Sequence, residues 1–321
     1  VLGEDDPDKG PADDLRVLGN LVGTDGSGTA AIPVGEEGIL LRGLVRNAQI
    51  GQAGGGNVIV TDRDVAVAAI DLGADLGAPD GLTVAGNTIG MSLGGTAVLG
   101  DVSDGIRVGG NETNRGVEDV TIGGSGAAGN RIAAETGLFL VGGRTSQATV
   151  SNNVLGLLAN GLLARDDAAD GITLLLANEV TLDGNVVAGF ERGIVLASNA
   201  NVLTRNRIGT NEGGSVSRAN DIGIVIPREA TGLGDPVALG NDNVIGEAGA
   251  GNVISGNASI GLLIGPTVAF QSGPFLTGRS DRARVHLAAP DSTSLARLAA
   301  SPARASGEEG HPRAGDGRAV G

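Results

Sequence analysis

The densest group of ionisable side chains within the patterned part of the sequence is Asp166, Asp167 and Asp170. Paired carboxyls can act as acid and base in glycoside hydrolysis, or hold Ca2+ for a lyase. Asp62 and Asp64 make a second candidate. Alternation along a strand would place both on one face, with Arg63 opposite, and Ca2+ is the cofactor such a pair would suit. Arg192, with Arg205 and Arg207, would supply the cation that polyuronate chemistry needs. An acid also stands just before several glycines, at Glu37, Asp104, Asp170 and Asp221. A row of this kind could collect Ca2+, but a turn in which the carboxylate caps local amides explains it with less.

Other chemistries lack their residues. The chain has no cysteine, hence no disulfide framework, thiolate metal site or thiol nucleophile. Lys9 is the sole lysine and both histidines fall after residue 265, so the patterned region offers neither type as a base. Tyr and Trp are absent, and with them the aromatic platforms common at sugar sites. No phosphate loop, dinucleotide fingerprint or zinc-ligand spacing occurs, and no organic cofactor is expected. A formal net charge of −15 argues against nucleic acid or an anionic membrane as partner. No apolar run approaches the ~20 residues that a bilayer span needs. The opening Val-Leu-Gly-Glu-Asp-Asp has neither a basic nor an apolar signal region, as expected of a mature protein or a fragment.

The elements that must position these acids come from a repeat. Glycine is far above its usual share of about 7%, at 58 of 321 residues, without a Gly-X-Y period. One unit begins at Asn20, Asn87, Asn153 and Asn206, as in Asn87-Thr-Ile-Gly90, and closes 17 or 18 residues later at Gly38, Gly105, Gly171 and Gly223, each followed by Ile. A second unit lies between copies of the first, in Gly51-Gln-Ala-Gly-Gly-Gly-Asn57-Val-Ile and its relatives at Asn130, Asn185 and Asn252. Each aliphatic segment is three to five residues long, bracketed by Gly and Asn, which tolerate the left-handed backbone of a sharp corner. Alone such strands bury too little; stacked coil upon coil they form continuous parallel sheets around a Val, Ile, Leu and Ala core. About ten coils at ~4.8 Å would give a rod on the order of 50 Å long. The recurring asparagines read as a structural amide ladder between coils, not a binding stripe.

The runs Gly251-Asn252-Val-Ile-Ser-Gly-Asn257, Gly193-Ile194-Val-Leu and Asn206-Arg-Ile-Gly-Thr210 resemble the right-handed parallel β-helix repeat proteins of bacteria, a superfamily that includes pectate-lyase-like enzymes. The expected fold is therefore all-β, a single-stranded right-handed parallel β-helix over residues 15–265. An acidic, flexible leader is expected over 1–14 and a low-complexity, disordered tail over 266–321. The resemblance implies an extracellular or cell-surface setting, with a polysaccharide or cell-surface component as partner. The repeats lack the His and Lys of the β-helix pectinase catalytic set, so a structural, adhesive or binding role is preferred. The alternative is a polysaccharide lyase or glycoside hydrolase using Asp166, Asp167, Asp170 and Arg192, with Asp62 and Asp64 as Ca2+ ligands.

Overall fold

Every repeat closes one coil of three short strands, and each strand hydrogen-bonds to its counterpart one coil on. The computed structural model describes residues 12–70, 78–110, 116–231, 237–270 and 285–287, all within a unit spanning residues 1–288. The first coil comprises Arg16–Val17, Leu21–Val22 and Ile39–Arg42; the last comprises Val244–Ile245, Val253–Ile254 and Ile260–Ile264. Three parallel sheets of eight strands each run the length of the stack. One ends each coil with strands of up to eight residues, such as Ala168–Leu175, and is here called the long sheet. The sheet whose strands each follow a repeat asparagine is the asparagine sheet.

Register follows the repeat. Ile172 pairs with Leu138 on one side and Ile194 on the other, and Ile194 pairs with Ile224. These side chains are fully buried and belong to one aliphatic core running through the stack, with Leu41, Ile89, Leu155 and Leu203. Parallel strands linked by same-sheet crossovers are right-handed in nearly all proteins. The stack holds eight complete coils among the described residues, about 38 Å at the usual strand spacing. That is shorter than the sequence suggests because each super-repeat contains two coils.

The two coils of a super-repeat differ in one corner. After Gly23, Gly90, Gly156 and Gly209 the chain leaves the wall and forms a hairpin before entering the long sheet. Antiparallel bridges close these hairpins at Thr24–Ala31, Met91–Val98, Leu157–Leu163 and Thr210–Ser217. Coils that follow Asn57, Asn130, Asn185 and Asn252 turn directly into the long sheet. The hairpin is the reason for the 17–18 residue spacing.

The asparagines form the expected ladder. Asn57 donates its backbone N–H and Nδ2 to Asn87 Oδ1, both at 2.9 Å. Asn87, Asn130, Asn153, Asn185 and Asn206 each do the same to the asparagine of the next coil. The second Nδ2 hydrogen reaches back to a carbonyl of the previous coil, as from Asn130 to Val84. These amides are therefore satisfied inside the wall.

Left-handed corners fall elsewhere than the pattern suggests. None of the ladder asparagines has positive φ; the residue before it does, in Gly86 (68°), Gly184 (68°) and even Arg205 (54°). The closing glycines are glycine for room. A Cβ on Gly137 would lie 2.5 Å from the carbonyl oxygen of Gly171, and one on Gly171 would lie 2.4 Å from that of Gly193.

The stack begins at Ala12, since Ala12–Asp13 already pairs with Val45–Arg46, and residues 1–11 of the expected leader lie outside the described residues. Past Gly265 the coil pattern ends but strand structure continues. Thr267–Phe270 pairs in parallel with Glu229–Thr231 and antiparallel with Val285–Leu287. The rest of the expected tail, 271–284 and 288–321, lies outside the described residues.

Candidate functional site

The long sheet sets the position of Asp170 and Arg192. They stand opposite each other on adjacent strands. Arg192 donates Nε to Asp170 Oδ1 at 2.6 Å and Nη2 to Oδ2 at 3.1 Å. Both residues are 4% exposed. Burial holds the Asp170 carboxyl above its ordinary range, against the pull of the Arg192 guanidinium. A fork-on-fork pair of this kind, sealed from solvent, is joined to itself and presents no free edge to a substrate. Two coils earlier Arg107 pairs with Asp104 and lies 5.5 Å from the centre of the Phe139 ring.

Asp167 goes the other way. It is exposed and receives two hydrogen bonds from Arg165, at 2.8 and 2.9 Å. Arg165 also donates to Asp101 Oδ1 at 2.8 Å, and Asp101 Oδ2 accepts from Arg63 at 3.3 Å. The Arg165 hydrogen bond holds Asp101 below the usual carboxylate range. The sequence grouping of Asp166, Asp167 and Asp170 is therefore divided: Asp170 faces Arg192 in the wall, while Asp167 joins a chain of alternating charges on the surface. Asp166 is exposed. Sequence reasoning missed Arg165 and Asp101. They are 64 residues apart but occupy nearly the same place in successive hairpin-bearing coils, so counting from Asn87 and Asn153 would have found them.

Asp62 and Asp64 do not share a face. Arg63 between them has φ of +61°, which breaks the alternation expected of a strand. Asp62 is exposed, whereas Asp64 is 8% exposed and its Oδ1 accepts from the Val65 N–H at 2.7 Å. Burial raises the Asp64 carboxyl above its ordinary value. Among the described residues, no group of three or more His, Cys, Asp or Glu gathers as a metal site.

Two shallow hollows lie elsewhere. One of about 230 Å³ is lined by Leu44, Arg46, Pro79, Asp80 and Glu118. The other, about 350 Å³, is lined by Asn152, Arg205, Arg207 and Val253, and Arg205 there is paired with Asp183 at 2.7 Å. Asp166, Asp167 and Asp170 line neither.

The hairpin series forms a second surface feature. Successive hairpins touch across two coils: Leu93 N donates to Gly28 O and Ala159 N to Gly95 O, both at 2.8 Å. Arg218 of the hairpin that follows donates Nε to Gly161 O at 2.5 Å. Arg131 reaches out from the wall to the Leu157 and Leu158 carbonyls and to Glu212. The hairpins thus make one continuous ridge, and it carries exposed Ile32 (64%), Leu93 (56%), Leu162 (54%) and Val216 (44%). Its aliphatic knobs recur every second coil, roughly 10 Å apart.

Comparison with protein-family models, curated proteins and solved structures gives no match to this chain. Fold and site together define a parallel β-solenoid with a hairpin ridge on alternate coils, with Asp170 and Arg192 in a buried ion pair and Asp167 paired with Arg165 at the surface.

Proposed function

We propose that the protein is a secreted or cell-surface rod with a structural and adhesive role, and that the hairpin ridge is its contact face. The observation carrying this reading is the run of exposed aliphatic side chains from Ile32 to Val216 on a ridge hydrogen-bonded to itself and to the wall. Exposed aliphatic side chains repeated along one ordered ridge give it a regular apolar face suited to contact. The burial of Asp170 in its pair with Arg192 supports a role without turnover at that residue, because a general acid or a Ca2+ ligand needs a carboxylate open to its substrate or ion. The extracellular setting rests on the resemblance of the repeats.

Purified protein incubated with a panel of acidic and neutral polysaccharides, with Ca2+ or with chelator, tests the reading. Product size is followed by gel filtration and retention by co-sedimentation with the insoluble polymers. The expected result is full-length polymer throughout, with retention on at least one polymer that falls tenfold or more in a Leu93→Ser, Leu162→Ser double variant. Shortened polymer would overturn the non-catalytic role. Retention on none of the panel, or retention indifferent to the double variant, would overturn the adhesive ridge.

A further inference from the structure

We propose that copies of this chain stack end to end, the last coil of one copy receiving the first coil of the next. The ladder has a direction. Each asparagine donates two hydrogen bonds forward to the Oδ1 of the following one, from Asn20 to Asn252. Among the described residues the forward donors of Asn252 have no acceptor, and Asn20 Oδ1, exposed at the other end, has no donor. The two ends are complementary to each other and not to themselves.

The coil types agree. Coils with and without a hairpin alternate along the stack; the last lacks one and the first bears one, so head-to-tail stacking continues the alternation unbroken. The ridge agrees as well. Gly28 and Gly95 each accept through their carbonyl from the hairpin two coils on. Gly161, at the same turn position, accepts instead from Arg218 Nε of the hairpin two coils on, and Gly214, the last in this row with φ of +69°, would take its donor from the first hairpin of the next copy. The apolar contact is already exposed: Leu262 and Ile264, in register with the core residues Ile224 and Ile226, are 39% and 68% exposed, and among the described residues no further strand pairs with theirs. A head-to-tail contact of this kind has no closing symmetry and generates a filament. Stacking needs no ligand on the ridge, so a monomeric chain would leave the adhesive reading standing.

Sedimentation velocity of the full chain across a wide concentration range is the test, with Ile264→Lys to block the last coil and Asn20→Arg to block the first. Circular dichroism and thermal melting establish that both variants fold as the parent does. The parent is expected to grow past the dimer as concentration rises. Each variant alone stays monomeric, and the two mixed give a dimer and nothing larger. A parent that is monomeric at every concentration would overturn the proposal. So would Asn20→Arg that still dimerises alone, the mark of last coil meeting last coil, or association unchanged in both variants.

Discussion

Asn130 donates both its backbone N–H and its Nδ2 to the single Oδ1 of Asn153, 23 residues further along the chain, at 3.0 and 2.9 Å. Asn153 in turn donates to Asn185 and returns its other Nδ2 hydrogen to Ile122 O at 3.0 Å. One side chain therefore ties three coils together, in a wall where it is fully buried.

Replacing Asn153 by Ala leaves two buried donors of Asn130 and the Ile122 carbonyl without that partner. At roughly 1–3 kcal/mol for each orphaned group, the expected loss is about 3 kcal/mol or more. Asn20→Ala, at the exposed start of the ladder, should cost less than ~1 kcal/mol. Urea unfolding of both variants checks the contrast; equal losses would mean that the ladder adds nothing beyond the backbone sheets.

Much of the fold was legible because a solenoid writes its register into a short period. Asn87 to Gly105 and Asn153 to Gly171 repeat the same interval, and that interval is the hairpin corner joining the asparagine sheet to the long sheet. The role of particular glycines was less legible. Gly137 and Gly171 read as left-handed corners, yet they are needed for clearance from a carbonyl one coil away, a distance no local pattern records. The acids were least legible. Asp166, Asp167 and Asp170 are neighbours in sequence, but a strand entering the wall sends Asp170 inward while Asp167 stays on the turn. Arg165 and Asp101 meet through the stacking of coils, which only counting positions within the super-repeat reveals.

The glycine column gives the second prediction. Gly171→Ala would place a Cβ 2.3 Å from Val187 Cγ1 and 2.4 Å from Gly193 O. Relief requires the coils to part, so a loss of about 3 kcal/mol or failure to fold is expected. Gly35→Ala, with nothing within 4 Å and no positive φ, should be neutral or slightly stabilising. Thermal melting of the two variants decides it, and a Gly171→Ala protein melting with the parent would remove the packing argument.

The Asp170–Arg192 pair supports a third. Removing one member leaves a buried charge alone, so Arg192→Met is expected to cost about 3–5 kcal/mol. The double variant Asp170→Leu, Arg192→Met removes both charges and should recover most of that loss. A double variant no more stable than Arg192→Met would show that the pair does more than neutralise itself. Should the protein prove to degrade a polymer, retained turnover in the double variant would also remove Asp170 and Arg192 as catalytic candidates.

The last prediction concerns pH. Burial, with the nearby Glu37 and Asp104 charges, lifts Asp64 above its ordinary value of 3.8, against the Val65 N–H bond and the Arg107 charge. Between 3.8 and that raised value the folded state binds more protons than the unfolded chain, so this residue's contribution is present at low pH and is lost as pH rises through the window. Asp101 acts with the opposite sign, because the Arg165 hydrogen bond lowers it and its stabilisation is lost as pH falls. The difference between variant and parent isolates Asp64 from such groups. Asp64→Asn keeps an oxygen to accept from Val65 and cannot ionise. It is expected to be more stable than the parent at neutral pH, with the advantage shrinking as the solution is acidified towards 3.8. Urea midpoints measured across the mildly acidic range supply the difference curve. A variant less stable at neutrality, or one whose difference from the parent is flat with pH, would mean that the buried Asp64 carboxylate is fully compensated where it stands.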